Sequence, residues 1–444
     1  MSVQYDLVIT DVEIVSPTGT AVGNIAINGQ TIAAVGDVSE SEGRRLLKGS
    51  GLTAIPGVID TQVHFREPGM THKEDLESGT RAAVVGGTTT IFEMPNTNPT
   101  TTTEAALKDK LRRAEGRAWC DYSFFFGATT ENAELLASAE KLPGSPGIKI
   151  FMGSSTGSLL VSDDEDVRRV LKHGKRPVAV HSEHEPRLRE RKALISANPH
   201  PREHPFLRDA ESARLCTERL LRLSAETQRP VHILHISTAD ELPLIREAKD
   251  KGLNNTAEVT PQHLWFNADD YERLGSLLQM NPPIRSKDHQ EALWKALDAD
   301  LFDVFGSDHA PHTLDEKAKP YPESPSGMPG VQTMLAALLT FVHQGRLSME
   351  KLVRMACANP AKLYGIKNKG SIAPGFDADL VLIDRKASYQ FTRNLVESKC
   401  GWSPYEGETF YGSIEHVFLR GNWMLRDGGL QHHAVGQPVT FDWK

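Results

Sequence analysis

From about Ile55 to Lys369 the chain repeats one pattern eight times: a short apolar run ending in a polar or titratable residue, then a charge-rich stretch with apolar residues at helical spacing. The runs end near Asp60 (GLTAIPGVID), Glu93 (TTTIFE), Gly127 (YSFFFG), Phe151 (GIKIF), His181 (PVAVH), His235 (HILHI), Val259 (TAEV) and Asp308 (VFGSD). Good helix formers lie between them, EAALKDKLRRAE and ESARLCTERLLRLSAE for instance. Eight such units predict an α/β fold, a (β/α)8 TIM barrel over residues 55–369. The flanks read differently. LVITDVEIV and GNIAINGQTIAAVGD alternate β-branched and polar residues between Gly and Asn-Gly turns, and SIAPGFDADLVLID and SIEHVFLRGNWMLRDG read as short strands with Gly turns. These segments, residues 1–54 and 370–444, are expected to assemble one small β-sandwich domain.

Charge narrows the partners. The 444 residues carry 50 Lys and Arg against 58 Asp and Glu, a net charge of −8, so no sequence-wide basic field attracts nucleic acid or an anionic membrane. MSVQYDLVITDVEIV has no basic segment leading into an apolar run and cleavage site, and no uninterrupted apolar stretch reaches membrane-spanning length. A cytoplasmic location is expected. Cys120, Cys216, Cys357 and Cys400 are far apart with no C-x-x-C pair, which reads as buried thiols rather than a disulfide framework.

In a barrel of this kind, functional residues come from the C-terminal strand ends. Strand one ends in Asp60-Thr-Gln62-Val-His64-Phe-Arg66, strand four carries Lys149, strand five ends in His181, strand six in His235, and strand eight in Asp308-His309-Ala-Pro-His312. A lone strand-end histidine is more often hydrogen-bonded or exposed than metal-bound. Several neutral imidazoles and a carboxylate at one mouth instead make a site for a borderline divalent metal such as zinc. Alternation puts His232 and His235 of VHILHIST on opposite strand faces, so His235 is the candidate ligand and His232 is expected to pack outward beneath a helix. His184, His263 and His309 are given supporting or structural roles.

IPGVIDTQVHFREPG, MPNTNPTT, GIKIFMGSSTG, HSEHE, LHISTADE, TPQHLWF, NPPIRS, SDHAPH and KCGWSPYEG follow one another along nearly the whole chain. Together they resemble the amidohydrolases that act on cyclic amides, and HFREPG with MPNTNP is most similar to the dihydroorotases. The resemblance implies reversible, zinc-dependent hydrolysis of (S)-dihydroorotate to N-carbamoyl-L-aspartate in pyrimidine biosynthesis. It implies that Lys149 is carbamylated by CO2 and bridges two metal ions, since a carbamate is anionic where an ammonium repels cations. His181 and His235 match the ligands of one metal, and His64 and Asp308 those of the other. Asp308 also matches the general base. Asn96, Asn281 and His312 match substrate contacts, although Asn96 and Asn281 sit beside prolines and read equally as turn residues. A guanidinium fork suits the substrate carboxylate, which gives Arg66 the role of anchor. A homodimer is implied as well.

One position departs from the pattern. The family has His-x-His where this chain has Gln62-Val-His64, and a carboxamide is a weaker zinc ligand than imidazole. One firmly held zinc and a second that is weak or absent are therefore expected. Two other readings stand beside this one: a sister activity such as allantoinase or dihydropyrimidinase, with Arg66 as the discriminating residue, and a non-catalytic scaffold, favoured only by Gln62. The loop 313–330, rich in Pro, Gly and charge, reads either as a cover for the mouth or as plain surface.

Overall fold

The computed structural model of the chain describes residues 4–431 and 433–443. Its N-terminal strands are β1 (Leu7–Ser16), β2 (Gly19–Asn28), β3 (Thr31–Gly36), β4 (Leu46–Lys48) and β5 (Thr53–Pro56). Parallel strands follow: β6 (Val58–Val63), β7 (Thr88–Glu93), β8 (Asp121–Phe124), β9 (Phe126–Gly127), β10 (Ile148–Phe151), β11 (Val178–His181), β12 (Val231–Ile233), β13 (Asn255–Val259) and β14 (Val304–Phe305). Strands β8 and β9 fill one position interrupted at Phe125, which makes eight barrel positions. The ladders run β6-β7-β8 and β9-β10-β11-β12-β13-β14. Single bonds bridge the gaps: Phe125 N–H donates to the Glu93 carbonyl at 3.0 Å, and His64 N–H to the His309 carbonyl at 2.7 Å. At the second gap, one oxygen of Asp60 accepts from both Gln62 N–H and Ser307 N–H at 3.1 Å, tying the first barrel strand to the segment after the last. The expected TIM barrel is present.

Period-2 alternation decides which side chains fill it. Val58, Ile91, Ile148, Val180, Ile233 and Val259 face outward into the core shared with the helices. Ile59, Phe92, Phe125, Ala179 and Leu234 face inward and pack with Tyr364. This arrangement corrects one expectation. His232 is inside the barrel rather than beneath a helix: its Nδ1 meets Thr256 Oγ1 at 2.8 Å, its Nε2 lies 3.7 Å from Glu258, and its ring stands edge-on to Tyr364. Alternation holds only along a regular strand, whereas β12 ends at Ile233 and His235 has φ +37°.

The C-terminal strands β15 (Leu380–Gln390), β16 (Thr409–Leu419), β17 (Asn422–Arg426) and β18 (Gly429–Leu430) complete a nine-stranded sheet with the N-terminal five. Its seam is the antiparallel pair β5–β15, with Ile55 opposite Val381 and Ala54 opposite Leu382. Leu7, Ile9, Ile25, Leu380, Leu382 and Phe418 meet in one cluster, so residues from both chain segments share the sandwich core. At the N-terminal start of β8, Asp121 faces Asp377 and Asp379, and Lys369 Nζ sits among them at 2.8, 3.0 and 2.5 Å. Arg420 adds a second cation to Asp121.

Candidate active site at the barrel mouth

Gln62, His64, Arg66, Lys149, His181, His235 and Asp308, carried by five different strand ends, line one narrow cavity together with Asn96, Asn281, Phe151, Thr156 and Ser326. Three of them occupy left-handed backbone that non-glycine residues rarely adopt: Arg66 at φ +65°, His235 at +37° and Asp308 at +44°. Each kink falls just past a strand end and takes the side chain out of simple alternation. At His235 the kink is held by Glu258, whose Oε1 accepts the His235 N–H at 3.1 Å. Burial pushes the Glu258 carboxyl up to about 8.

The donors form two close pairs. His181 Nδ1 and His235 Nε2 are 3.1 Å apart, and His64 Nε2 and Asp308 Oδ1 are 3.2 Å apart. Burial lowers the pKa of all three histidines, which keeps the imidazoles neutral. Surrounding groups select their tautomers. Asn96 donates its amide to the Thr156 carbonyl at 2.8 Å, which turns its oxygen toward His64 Nδ1–H at 2.7 Å and leaves Nε2 as a lone pair. Glu183 lies 3.0 Å from His181 Nε2. Burial pushes Glu183 up, but Arg208 and His181 together hold it well below the ordinary range, so it is an anion and draws the His181 proton to Nε2. The two ring nitrogens are 3.1 Å apart, close to the roughly 3.3 Å that separates ligands of a tetrahedral zinc.

Lys149 acts electrostatically on His64, His181 and His235, and Asp308 and Glu258 act on it. Its ammonium lies 4.5 Å above the Phe151 ring, and no carboxylate among the described residues is within ion-pair distance. Burial brings its pKa down to about 7. Gln62 donates Nε2 to Asp308 Oδ1 at 3.0 Å, and its own Oε1 is buried without a partner among the described residues. The carboxamide thus stands where it can hold Asp308 and still offer an oxygen.

Arg66 is 1% exposed. Its Nε donates to the Pro311 carbonyl at 3.1 Å and one Nη lies 3.3 Å from His312 Nε2, but no carboxylate among the described residues pairs with it. Asn281 reaches the cavity, with Oδ1 2.9 Å from His204 Nε2. His312 does not reach it. The ring is fully buried behind Arg66, with Nδ1 3.0 Å from Lys73 Nζ and Nε2 3.0 Å from the Ser326 carbonyl. In this position His312 supports the wall that holds Arg66. His184 caps the helix Glu185–Lys192, His263 meets the Pro282 carbonyl at 3.2 Å, and His309 accepts from Gly330 N–H at 3.0 Å. Sequence reasoning did not single out Glu183, Glu258, Lys73 or Thr156. An acid inside the apolar strand TAEV is a signal for Glu258, and the two-residue spacing in HSE is one for Glu183.

Comparison with known proteins shows the family. The model of the amidohydrolase family matches residues 53–424. The dihydroorotase of Methanosphaera stadtmanae is 35% identical over 380 residues, 85% of this chain and 86% of that protein. The dihydroorotase of Pyrococcus abyssi is 34% identical over 431 residues, 94% of this chain and 96% of that protein. Among solved structures, the L-hydantoinase (dihydropyrimidinase) of Arthrobacter aurescens has a TM-score of 0.93 at 28% identity, covering 98% of this chain and 100% of that one.

Proposed function

The chain belongs to the amidohydrolase family and is a hydrolase of cyclic amides, and from that premise we propose that it is a zinc-dependent dihydroorotase, which interconverts (S)-dihydroorotate and N-carbamoyl-L-aspartate in pyrimidine biosynthesis. The observation that carries the choice of substrate is Arg66. A guanidinium that is 1% exposed, faces the cavity and lacks a carboxylate partner among the described residues calls for an anionic ligand. Dihydroorotate brings a carboxylate on a six-membered cyclic ureide, the anionic group that Arg66 calls for at this cleft.

His181, His235 and Lys149 would hold one zinc, and His64, Asp308 and Lys149 a weaker second. Lys149, deprotonated, adds its nitrogen to the carbon of CO2 and releases a proton, and the resulting carbamate supplies anionic oxygens where the ammonium would repel a cation. Zinc bound there lowers the pKa of water to about 7 and polarises the amide carbonyl. Arg66 fixes the carboxylate of the substrate and sets the ring amide over Asp308. Asp308, held by Gln62 at 3.0 Å, takes the proton of the attacking water and returns it to the leaving ring nitrogen. Asn96 keeps His64 in one tautomer and has a second amide hydrogen without a protein acceptor among the described residues. Asn281 stands at the same cavity wall.

A second reading is a hydantoinase or dihydropyrimidinase activity, supported by the TM-score of 0.93. Those ring substrates lack the carboxylate that Arg66 calls for. The experiment is hydrolysis of L-dihydroorotate, hydantoin, dihydrouracil and allantoin by protein purified with zinc and bicarbonate, each against a chelator-treated control. Turnover of dihydroorotate above the others, lost on chelation, is expected. Preference for hydantoin or dihydrouracil moves the assignment to the second reading. We also place the enzyme in the cytoplasm as a homodimer. Among the described residues no helix is long and apolar enough to cross a membrane, and light scattering at twice the 49.0 kDa chain mass checks the dimer.

A further inference from the structure

Lys317 lies in the loop TLDEKAKPYPESPSG, whose composition is that of a solvated surface, yet it is 1% exposed. Its Nζ donates to three main-chain carbonyls: Pro325 at 2.8 Å, Gly327 at 3.0 Å and Gln279 at 3.2 Å. Three acceptors use all three hydrogens of an ammonium. No carboxylate among the described residues pairs with it, and the neighbouring Glu316 is taken by Lys73 at 3.0 Å. The Trp402 ring, 5.7 Å away, is the other group facing the charge. A buried cation without a counter-ion is costly, so its place needs a reason in what it joins.

It joins the two loops that wall the cavity on the side of Arg66. Ser326 and Gly327 on one loop and Asn281 on the other line the cavity, and Gly327 N–H crosses to the Gln279 carbonyl at 2.8 Å. The Ser326 carbonyl in turn accepts from His312, whose ring backs Arg66. Lys317 itself makes no contact with Lys149, His181, His235 or Asp308; the segment it fastens meets the last barrel strand end through Met328, whose carbonyl accepts Ala310 N–H at 2.9 Å.

We propose that Lys317 is a positioning residue for the substrate carboxylate: it fastens the 325–327 segment to Gln279, and through Ser326 and His312 sets the height of Arg66 in the cavity. This rests on the dihydroorotase reading. Loss of the ammonium loosens the anion-binding wall and leaves the hydrolytic groups in place.

Steady-state kinetics of zinc-loaded Lys317→Met with L-dihydroorotate test it, with melting temperature and metal content measured on the same sample. KM rises about tenfold or more, kcat stays within about threefold of wild type and metal content is unchanged. A purely structural lysine lowers the melting temperature and leaves KM at the wild-type value, and that result overturns the proposal, as does a fall in kcat at unchanged KM. Should Lys317→Met give no folded protein, Lys317→Gln carries the same expectation, because a carboxamide offers two hydrogens where three carbonyls wait. Wild-type protein that does not turn over dihydroorotate overturns the substrate reading and this inference with it. Wild-type turnover with unchanged KM in the variant overturns this inference alone.

Discussion

The barrel has a buried cluster of charge at each end, and they differ in completeness. At the bottom, Asp121, Asp377 and Asp379 enclose Lys369 at 2.5 to 3.0 Å, and Arg420 covers Asp121. The chain satisfies that cluster with its own cations. At the mouth, Lys149 and Arg66 have no carboxylate partners among the described residues, and two imidazole nitrogens face each other at 3.1 Å. Three acids in contact range look like a metal site, but the ammonium already occupies their centre. The mouth lacks what would balance it, and such a cluster is built for something the chain does not supply.

This contrast breaks if variants at the two ends behave alike. The largest effect is expected for Asp308→Asn, which lowers turnover in both directions by about 10³-fold or more while circular dichroism and melting stay near wild type. Retained turnover removes Asp308 as the base. Lys369→Met should do the reverse, leaving Asp377 and Asp379 without a cation and Asp121 with Arg420 alone and costing about 3–5 kcal/mol in denaturant unfolding, with kcat per folded molecule unchanged. Arg66→Ala comes next: KM for dihydroorotate rises about 10- to 150-fold at intact metal content, the worth of a charge-assisted hydrogen bond. Unchanged kinetics take Arg66 out of the binding site. Gln62→His has the smallest effect on rate and sharpens the comparison most, since tightly bound zinc measured by plasma emission should rise from about one toward two per chain. Two equally tight zinc ions in the wild-type protein would refute the weak second site.

The barrel was legible because its strands obey a period of two and its helices one of 3.6, and both patterns survive in composition. Lys149, His181 and Asp308 were legible because strand ends converge at one mouth. His232 was misplaced for a related reason: alternation holds only while the strand is regular, and the left-handed kinks at Arg66, His235 and Asp308 occur at residues whose type does not announce them. His312 reads as a ligand contact in SDHAPH, and its contacts with Lys73 and the Ser326 carbonyl are ones that the motif does not announce. Lys317 was hidden by its surroundings. A charged loop reads as solvated until three carbonyls close around the ammonium.

The β5–β15 seam has a consequence for synthesis on the ribosome. Thr53 pairs with Ile383, so the outer edge of β5 waits about 330 residues for its partner. At bacterial to eukaryotic elongation speeds that is roughly 15 to 65 s, during which the nascent N-terminal strands present an open hydrogen-bonding edge while the barrel units emerge behind them. Strand β1 already has β2, β4 and β5 from its own half, so its hydrogen bonds are made while the β5 edge stays open. The last-made strands act as its cover, and a chain released before β15 would expose a template for pairing with other chains.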